Sequence, residues 1–403
     1  MKNLNFRLSL LCLTAFLLYM FFYMNYFIYK EGFGFSDLTC FTEALKYAVQ
    51  SGCSPYFKSY AGSSITGSGF YYSPAFLSYV SLFVKSDYSA NLNLYLFLNI
   101  FYLIAAFAVW IRLCGLLNKN AIISLLFLLI ITHFHPGIIW NAAAANNNEL
   151  SFLFATLSCY FFVKEKNFFS GLFLALLFLI KIHFTFFYVF FLFAFFKNKK
   201  FKPILLSGAG FFLVVMIAIL IVQFPVEWWK DWLKFIYYRF SLAEANDRIF
   251  IDQSFSKFGS VGIFLRYLSL AFVVLFSLKT DLSNNKDKLF LCAISLAAMI
   301  LFLKNAWIQY VIFFIPLQIT ALNYLTFPKS GILNITAAVF LTLSLIFLNG
   351  PFPDNKTVVL KTLQSGIFKD IALIVINKIR VFGFLFILGL VAVMTLIQYK
   401  NQK

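Results

Sequence analysis

Long apolar runs, separated by short polar segments, make up most of this chain. A membrane-spanning helix needs about 20 mainly apolar residues, and irregular backbone exposed to lipid would leave its polar groups unpaired. The pattern therefore predicts an all-α polytopic membrane protein with about 12 transmembrane helices. The runs cover residues 8–29, 89–111, 121–139, 149–163, 168–180, 183–196, 203–224, 258–278, 289–303, 306–325, 331–348 and 382–398.

Basic residues indicate which side of the membrane each segment faces. With the N-terminus in the cytoplasm, the short inner segments hold 16 Lys and Arg in 46 residues, whereas the long outer loops hold 14 in 125. Positive charge concentrates on the cytoplasmic side of membrane proteins, so this bias supports the orientation. We expect one integral domain, residues 1–403, in the cell (inner) membrane, with extracytoplasmic loops at 30–88, 225–257 and 349–381.

The stretch 168–196 is interrupted only by Lys181 and His183. Basic segments flank it on both sides, so both of its ends are expected in the cytoplasm and it must cross the membrane an even number of times. Two short helices, 168–180 and 183–196, would then form a hairpin. Lys181 and His183 would lie at its outer tip.

Composition excludes several classes of protein. Hydrophobic residues make up 62% of the chain and include 57 Phe, which rules out a soluble enzyme and a disordered chain. The basic residues that give the net charge of +18 lie between the apolar runs and form no basic domain or stripe. The charge therefore reflects topology, and no nucleic-acid partner is expected.

Twelve of the 15 acidic residues and all three His lie at or near the outer face, so an active site would face outward.

The cysteines and acids give no sign of a metal site or cofactor. None of the six cysteines forms a metal-ligand spacing, and no Asp-x-Asp pair suits a divalent cation. Cys40 and Cys53 share the first outer loop, and the sequence leaves open whether they form a disulfide.

The first outer loop contains the clearest candidate for catalysis. Residues 38–50 form a short amphipathic pattern headed by Asp37, and 75–84 form a second helix, too short to cross, that we expect at the membrane interface. Asp37 either caps the first helix or acts as a general base, its proton affinity tuned beside low-dielectric walls. Tyr72 is either an interfacial anchor or a substrate-binding residue.

A series of short elements lies in a fixed order between residues 30 and 320. The elements are Asp37 at the head of a helix, Gly52-Cys53-Ser54-Pro55-Tyr56, Phe70-Tyr71-Tyr72-Ser73-Pro74, Asn146-Asn147-Asn148, Lys181, Asp252-Gln253-Ser254 with Arg266, and Trp307-Ile308-Gln309-Tyr310. This series resembles glycosyltransferase family 87, the polyprenol-phosphate-mannose-dependent mannosyltransferases of the glycosyltransferase C superfamily. Four elements depart from the family pattern, at Asn146, Phe184, Asp252 and Gln309.

The resemblance implies a membrane enzyme that moves a hexose, mannose in the family, from a polyprenyl phosphate to a lipid or glycan hydroxyl. The family's presumed catalytic carboxylate maps onto Asp37. One carboxylate suffices for an inverting transfer, because no covalent intermediate needs a second acid. The sequence leaves open the sugar, the acceptor, the linkage and the oligomeric state.

The remaining candidate residues would bind the substrate. Fixed cations stabilise a departing lipid phosphate, which suits Lys181 and Arg266, while amide and hydroxyl groups would hydrogen-bond the sugar or phosphate. Each also has a structural alternative: a snorkelling lysine, an ion pair of Arg266 with an outer-loop acid, or helix capping by the polar residues. The candidates are Tyr72, Asn146, Asn148, Lys181, His183, Gln253, Ser254 and Arg266.

The main alternative function is a transporter or a flippase of a lipid-linked saccharide. Transporters commonly show paired repeats with binding sites near the bilayer midplane, and this chain shows no such pairing. A ligase or polymerase of lipid-linked O-antigen is a further alternative. The Trp-rich loop 225–257 is expected to form an amphipathic interfacial helix, some of whose rings could stack on a glycan acceptor.

Overall fold

The structure is a computed structural model, and every secondary-structure element that it describes is helical. This agrees with the predicted all-α class. Two of the described helices, Leu92–Cys114 and Phe201–Ile221, are long and apolar enough to cross a bilayer. The predicted number of spans stays a prediction, and the span 8–29 lies outside the described residues. The described residues are 36–56, 72–85, 87, 91–117, 138, 141, 146–222, 224–241, 259–302, 308–325, 331–349 and 385–397.

The described helices follow the predicted order. They are α1 (Ser36–Ser51), α2 (Pro74–Ser81), α3 (Leu92–Cys114), α4 (Asn148–Val163), α5 (Asn167–Ile180), α6 (Tyr188–Lys197), α7 (Phe201–Ile221), α8 (Val226–Ser241), α9 (Gly259–Lys279), α10 (Asn285–Phe302), α11 (Ile315–Leu325), α12 (Ile332–Asn349) and α13 (Leu385–Ile397), with 3₁₀ helices at Ile182–Phe187 and Ile308–Phe314.

The chain divides into two compact units. The first contains residues 1–110, 139–186 and 201–246, and the second contains 111–138, 187–200 and 247–403. The prediction of one integral membrane domain stays a prediction.

The two helices predicted in the first outer loop are both present in the first unit. On α1, Phe41 contacts the rings of Tyr72 and Phe76 edge-on, with centroids 4.8 and 5.2 Å away. At the start of α2, Ser73 accepts a hydrogen bond from the Phe76 N–H and donates one to the carbonyl of Leu179. The start of α2 is therefore joined to the end of α5. The expected position of α2 at the membrane interface stays a prediction.

Close packing fixes α5 between α4 and α7. A Cβ atom on Gly171 would overlap the backbone carbonyl of Ser207, and one on Gly210 would overlap the carbonyl of Phe168. On the other side, Ser158 and Ser170 each donate to the other's carbonyl, at 3.0 and 2.9 Å. Small residues such as Gly and Ser allow helix backbones to approach this closely. The contacts hold α5 in place, and Lys181 follows its last residue.

The Trp-rich helix α8 is amphipathic, as predicted. Trp228, Trp229, Trp232 and Phe235 are buried in the hydrophobic core of the first unit, whereas the opposite face exposes residues such as Tyr237, at 79% of its surface. The buried indoles therefore stabilise the first unit and are not placed to stack on a glycan acceptor.

The second unit has its own apolar core, built mainly from α10 and α11. Asn198 joins the end of α6 to the end of α9 by donating to the carbonyls of Ala194 and Thr280, at 2.8 and 3.1 Å.

In the first unit, Cys40 is buried, Cys53 is exposed, and both are free thiols. The disulfide that the sequence left open is therefore not formed.

Candidate active site

The helical path of the chain breaks at Lys181, where the sequence predicts a boundary between two helices. Helix α5 ends at Ile180, and Lys181 has an extended backbone (φ −142°, ψ 95°) before the 3₁₀ helix Ile182–Phe187. The Lys181 side chain is only 6% exposed. It therefore does not snorkel to a surface of the first unit. The hairpin expected from the two helices stays a prediction.

The ammonium group of Lys181 is held by amide oxygens and aromatic rings. Its Nζ donates to Oδ1 of Asn146 at 2.9 Å and to Oδ1 of Asn148 at 2.5 Å. It also lies 5.6 Å from the ring centroid of Tyr72 and 5.4 Å from that of Phe184, within cation–π range. A buried lysine with these contacts is fixed in position, as a phosphate-binding cation would need to be.

Asn146 links Lys181 to Asp37. Its Nδ2 donates to Oδ2 of Asp37, while its Oδ1 accepts from the lysine. An amide has one accepting and one donating end, so it can join a carboxylate to an ammonium group without their direct contact. The site thus holds both charges in a defined order: acid, amide, lysine.

Asp37 lies in the first turn of α1 and is partly buried. Burial raises the pKa of its carboxyl group above the ordinary value, while the positive charge of Lys181 and the hydrogen bond from Asn146 act in the opposite direction. A raised pKa makes this carboxylate a better proton acceptor near neutral pH.

Two residues that the sequence analysis did not single out support the amides. Asn99 donates through Nδ2 to the carbonyl of Asn146 at 2.8 Å. Asn141 accepts at its carbonyl from the N–H of Asn146 at 2.9 Å, and at Oδ1 from Nδ2 of Asn148 at 2.5 Å. An amide inside a predicted span, such as Asn99, is a signal that could have identified this support, because polar groups at membrane depth usually have a partner or a role.

Asn147 and Glu149 are also buried at the start of α4, with 0% and 4% of their surfaces exposed. Within the described part of the chain, neither polar atom of the Asn147 side chain has a hydrogen-bond partner, and the same holds for Oε2 of Glu149. Neither Asn147 nor Glu149 was predicted from the sequence as a site residue. The signal available for Glu149 was an acid at the very start of an apolar run.

The other predicted site residues are described to different extents. Tyr72 is buried, stacks on Phe76 at a centroid distance of 4.4 Å and accepts a hydrogen bond at its carbonyl from Tyr56 at 2.7 Å. His183 packs edge-on against Phe184 at 4.4 Å. Arg266 belongs to α9 in the second unit, but its side chain lies outside the described part, as do Gln253 and Ser254.

The described residues contain no group of three or more His, Cys, Asp or Glu arranged to hold a metal ion.

A partly buried carboxylate joined through an amide to a buried lysine, with charged groups that perturb one another, marks a candidate functional site. The model of Glycosyltransferase family 87 matches residues 70–309, which is more than half of the chain. The chain belongs to this family and is a membrane glycosyltransferase, with a sugar donor and an acceptor as its substrates. No curated protein and no solved structure matches it significantly.

The family match confirms the resemblance read from the sequence and favours an enzyme over the alternative of a transporter. It includes Tyr72, Asn146, Asn148 and Lys181, whereas Asp37 precedes its first residue. The role of Asp37 therefore rests on its contact with Asn146.

Proposed function

We propose that this enzyme moves a hexose, mannose, from a polyprenyl-phosphate donor to a hydroxyl group of a lipid or glycan, with inversion at the anomeric carbon. The active site would face the extracytoplasmic side of the cell (inner) membrane. The observation that carries this proposal is the hydrogen-bonded series of Asp37, Asn146 and Lys181. It supplies a proton acceptor and a phosphate-binding cation, the two groups that this reaction needs.

The acceptor hydroxyl is a weak nucleophile until a base takes its proton. In the proposed reaction, Asp37 removes that proton as the acceptor oxygen forms its bond to the anomeric carbon. The bond between that carbon and the phosphate oxygen breaks at the same time, and the lipid phosphate leaves with the electron pair. A single displacement of this kind inverts the configuration and needs no second carboxylate.

Lys181 would stabilise the negative charge that develops on the departing phosphate. A cation fixed before the reaction contributes most where water is excluded, because it does not have to reorient as the charge appears. The two amides and two rings around Lys181 provide such a position.

An outward-facing site also favours a lipid-linked donor, because nucleotide sugars are made in the cytosol. The further substrate contacts that we propose are Tyr72, Asn146, Asn148 and His183 in the first unit and Gln253, Ser254 and Arg266 in the rest of the chain.

The decisive experiment replaces Asp37 by Asn in membranes supplied with radiolabelled polyprenyl-phosphate mannose. Asn retains a side-chain oxygen that can accept the hydrogen bond from Asn146, so Asp37→Asn removes the base with little change of shape. We expect a roughly 10²- to 10⁴-fold loss of transfer. The matched control is Glu43→Gln, a second carboxylate on α1, which should transfer at the wild-type rate.

Unchanged transfer by Asp37→Asn would remove this residue from the mechanism. If the wild type transfers no sugar from any lipid phosphate and instead takes up substrate in sealed vesicles, the transporter alternative is correct.

A further inference from the structure

The N-terminus of α4 carries two buried polar side chains that the proposed mechanism does not use. Asn147 and Glu149 lie on either side of Asn148, which binds Lys181. In the described part of the chain, Nδ2 and Oδ1 of Asn147 and Oε2 of Glu149 have no hydrogen-bond partner. We call these two residues the 147/149 pair.

Asn147 is unusual for the residue that precedes a helix. An Asn at the N-cap normally accepts a hydrogen bond from a backbone N–H of the first turn. Asn147 occupies the N-cap of α4, but its side chain makes no such bond. Its amide therefore does not serve the helix, although the side chain is fully buried.

Leaving such groups without a partner is costly. A buried donor or acceptor that lacks a hydrogen bond loses its bonds to water without replacement, and folded proteins satisfy the great majority of these groups. Two neighbouring exceptions beside a candidate active site are best explained if a substrate supplies the missing partners.

The chemistry of the 147/149 pair indicates which part of a substrate this is. A helix N-terminus attracts anions, but the carboxylate of Glu149 already accepts a hydrogen bond from its own backbone N–H at this position. This N–H is therefore occupied and does not offer a binding site for an anion. A carboxylate oxygen accepts hydrogen bonds from hydroxyl groups, and an amide both donates to and accepts from them.

Asn148, the residue between Asn147 and Glu149, accepts a hydrogen bond from Lys181, so the 147/149 pair adjoins a ligand of the proposed phosphate-binding cation. We propose that Asn147 and Glu149 form a subsite for the hydroxyl groups of a sugar ring. The inference rests on the proposed function and extends it, since the ring belongs either to the hexose of the donor or to a glycan acceptor.

The main test is Asn147→Leu in the full-length enzyme. This variant removes the amide without changing the charge of the site. We expect the KM for one substrate to rise about tenfold, because a loss of about 1.4 kcal/mol in binding corresponds to that factor. A rise confined to the donor assigns the subsite to the transferred hexose, and a rise confined to the acceptor assigns it to the glycan.

The same variant also distinguishes binding from a structural role. Replacing an unpartnered buried amide by an apolar side chain should leave the thermal midpoint of the substrate-free protein unchanged or raise it. The matched control is Thr156→Val. The Thr156 hydroxyl is buried two turns further along α4 and has no hydrogen-bond partner in the described part of the chain, so this variant should keep both KM values.

Glu149→Gln provides a second variant if Asn147→Leu does not fold. It keeps the shape of the side chain and should raise the same KM as Asn147→Leu. Unchanged KM values for both substrates in either variant would overturn the subsite. So would a lower thermal midpoint of substrate-free Asn147→Leu with unchanged KM values, because that result indicates a structural role.

A measurement without turnover separates the subsite from the proposed function. Millimolar methyl α-mannoside should raise the thermal midpoint of the wild type and not that of Asn147→Leu. If the wild type transfers no sugar but shows this difference, the proposed function fails and the subsite stands. If transfer proceeds normally and Asn147→Leu matches the wild type in KM and in its response to methyl α-mannoside, the subsite fails alone.

Discussion

The short segment from Asn146 to Glu149 contains two kinds of buried polar side chain. Asn146 and Asn148 hold Lys181, and their remaining amide groups bind Asp37 and Asn141. In the described part of the chain, the 147/149 pair has polar atoms without partners. The contrast suggests that the protein orders its own charged groups in advance and leaves polar atoms unsatisfied where a substrate binds.

We define the lysine cluster as Asp37, Asn146, Asn148 and Lys181. This cluster and the 147/149 pair depend on different parts of the chain. The lysine cluster joins α1, the start of α4 and the end of α5. The 147/149 pair belongs to the start of α4 alone. Mutations that displace α5 or α1 should therefore affect the chemical step, whereas mutations in the pair should affect substrate binding.

After Asp37→Asn, the largest effect that we expect comes from Lys181→Met. The variant removes the proposed phosphate-binding cation and the two hydrogen bonds that it donates to Asn146 and Asn148. Removing one preorganised electrostatic contact typically lowers kcat by about 10²- to 10³-fold, and we expect a loss of this size in the transfer of mannose from polyprenyl phosphate. Initial rates at saturating donor and acceptor measure it.

The control for this prediction is Lys166→Met, because Lys166 is an exposed lysine that immediately precedes the first residue of α5. It should retain the wild-type kcat. If Lys181→Met changes only the KM values and keeps kcat, the lysine acts in binding alone, and the division between the two sets is wrong.

Local features of this fold could be predicted from the sequence. The basic segments on both sides of 168–196 predict two helices with a break near Lys181, and α5 ends one residue before Lys181. The amphipathic pattern at 38–50 corresponds to α1, and the short run at 75–84 to α2. These features depend on residues close together in the chain, where propensity and periodicity act directly.

The bridging role of Asn146 could not be predicted in this way. Asn146 and Asp37 are 109 positions apart, so their contact depends on how the helices pack. Three consecutive asparagines also have identical chemistry, so the sequence alone does not show that Asn146 and Asn148 accept hydrogen bonds from Lys181. The Trp-rich pattern of α8 was ambiguous for a related reason: an amphipathic helix can direct its aromatic face to lipid or to a protein core.

An intermediate effect is expected for Asn146→Leu, which separates Asp37 from Lys181. Hydrogen bonds to charged groups contribute about 1.5–3 kcal/mol, so kcat should fall roughly 10- to 100-fold. The pH profile gives a sharper result. The amide of Asn146 favours the ionised carboxylate and lowers the pKa of Asp37, so its loss raises that pKa further. Asp37 then ionises only at a higher pH, so the acidic limb of the profile of rate against pH should move to higher pH.

Asn148→Leu is the matched comparison for this profile. It removes a ligand of Lys181 that makes no hydrogen bond to Asp37 among the contacts described here, so it should lower kcat and leave the acidic limb in place. An equal shift of the limb in both variants would show that the limb does not report the contact between Asn146 and Asp37.

The smallest effect is expected from Gly171→Ala, which acts on the lysine cluster from a distance. The new Cβ would overlap the backbone of Ser207, and overpacking of this kind typically costs about 1–3 kcal/mol of stability. Because α5 must shift to relieve the overlap, Lys181 should lose part of its alignment, lowering kcat a few-fold at an unchanged donor KM. Gly208→Ala on α7 is the control, since its Cβ would meet nothing within 4 Å and Ala favours a helix. A raised donor KM with an unchanged kcat in Gly171→Ala would mean that the lysine cluster and the 147/149 pair move together, and that substrate binding and the chemical step share one packing element.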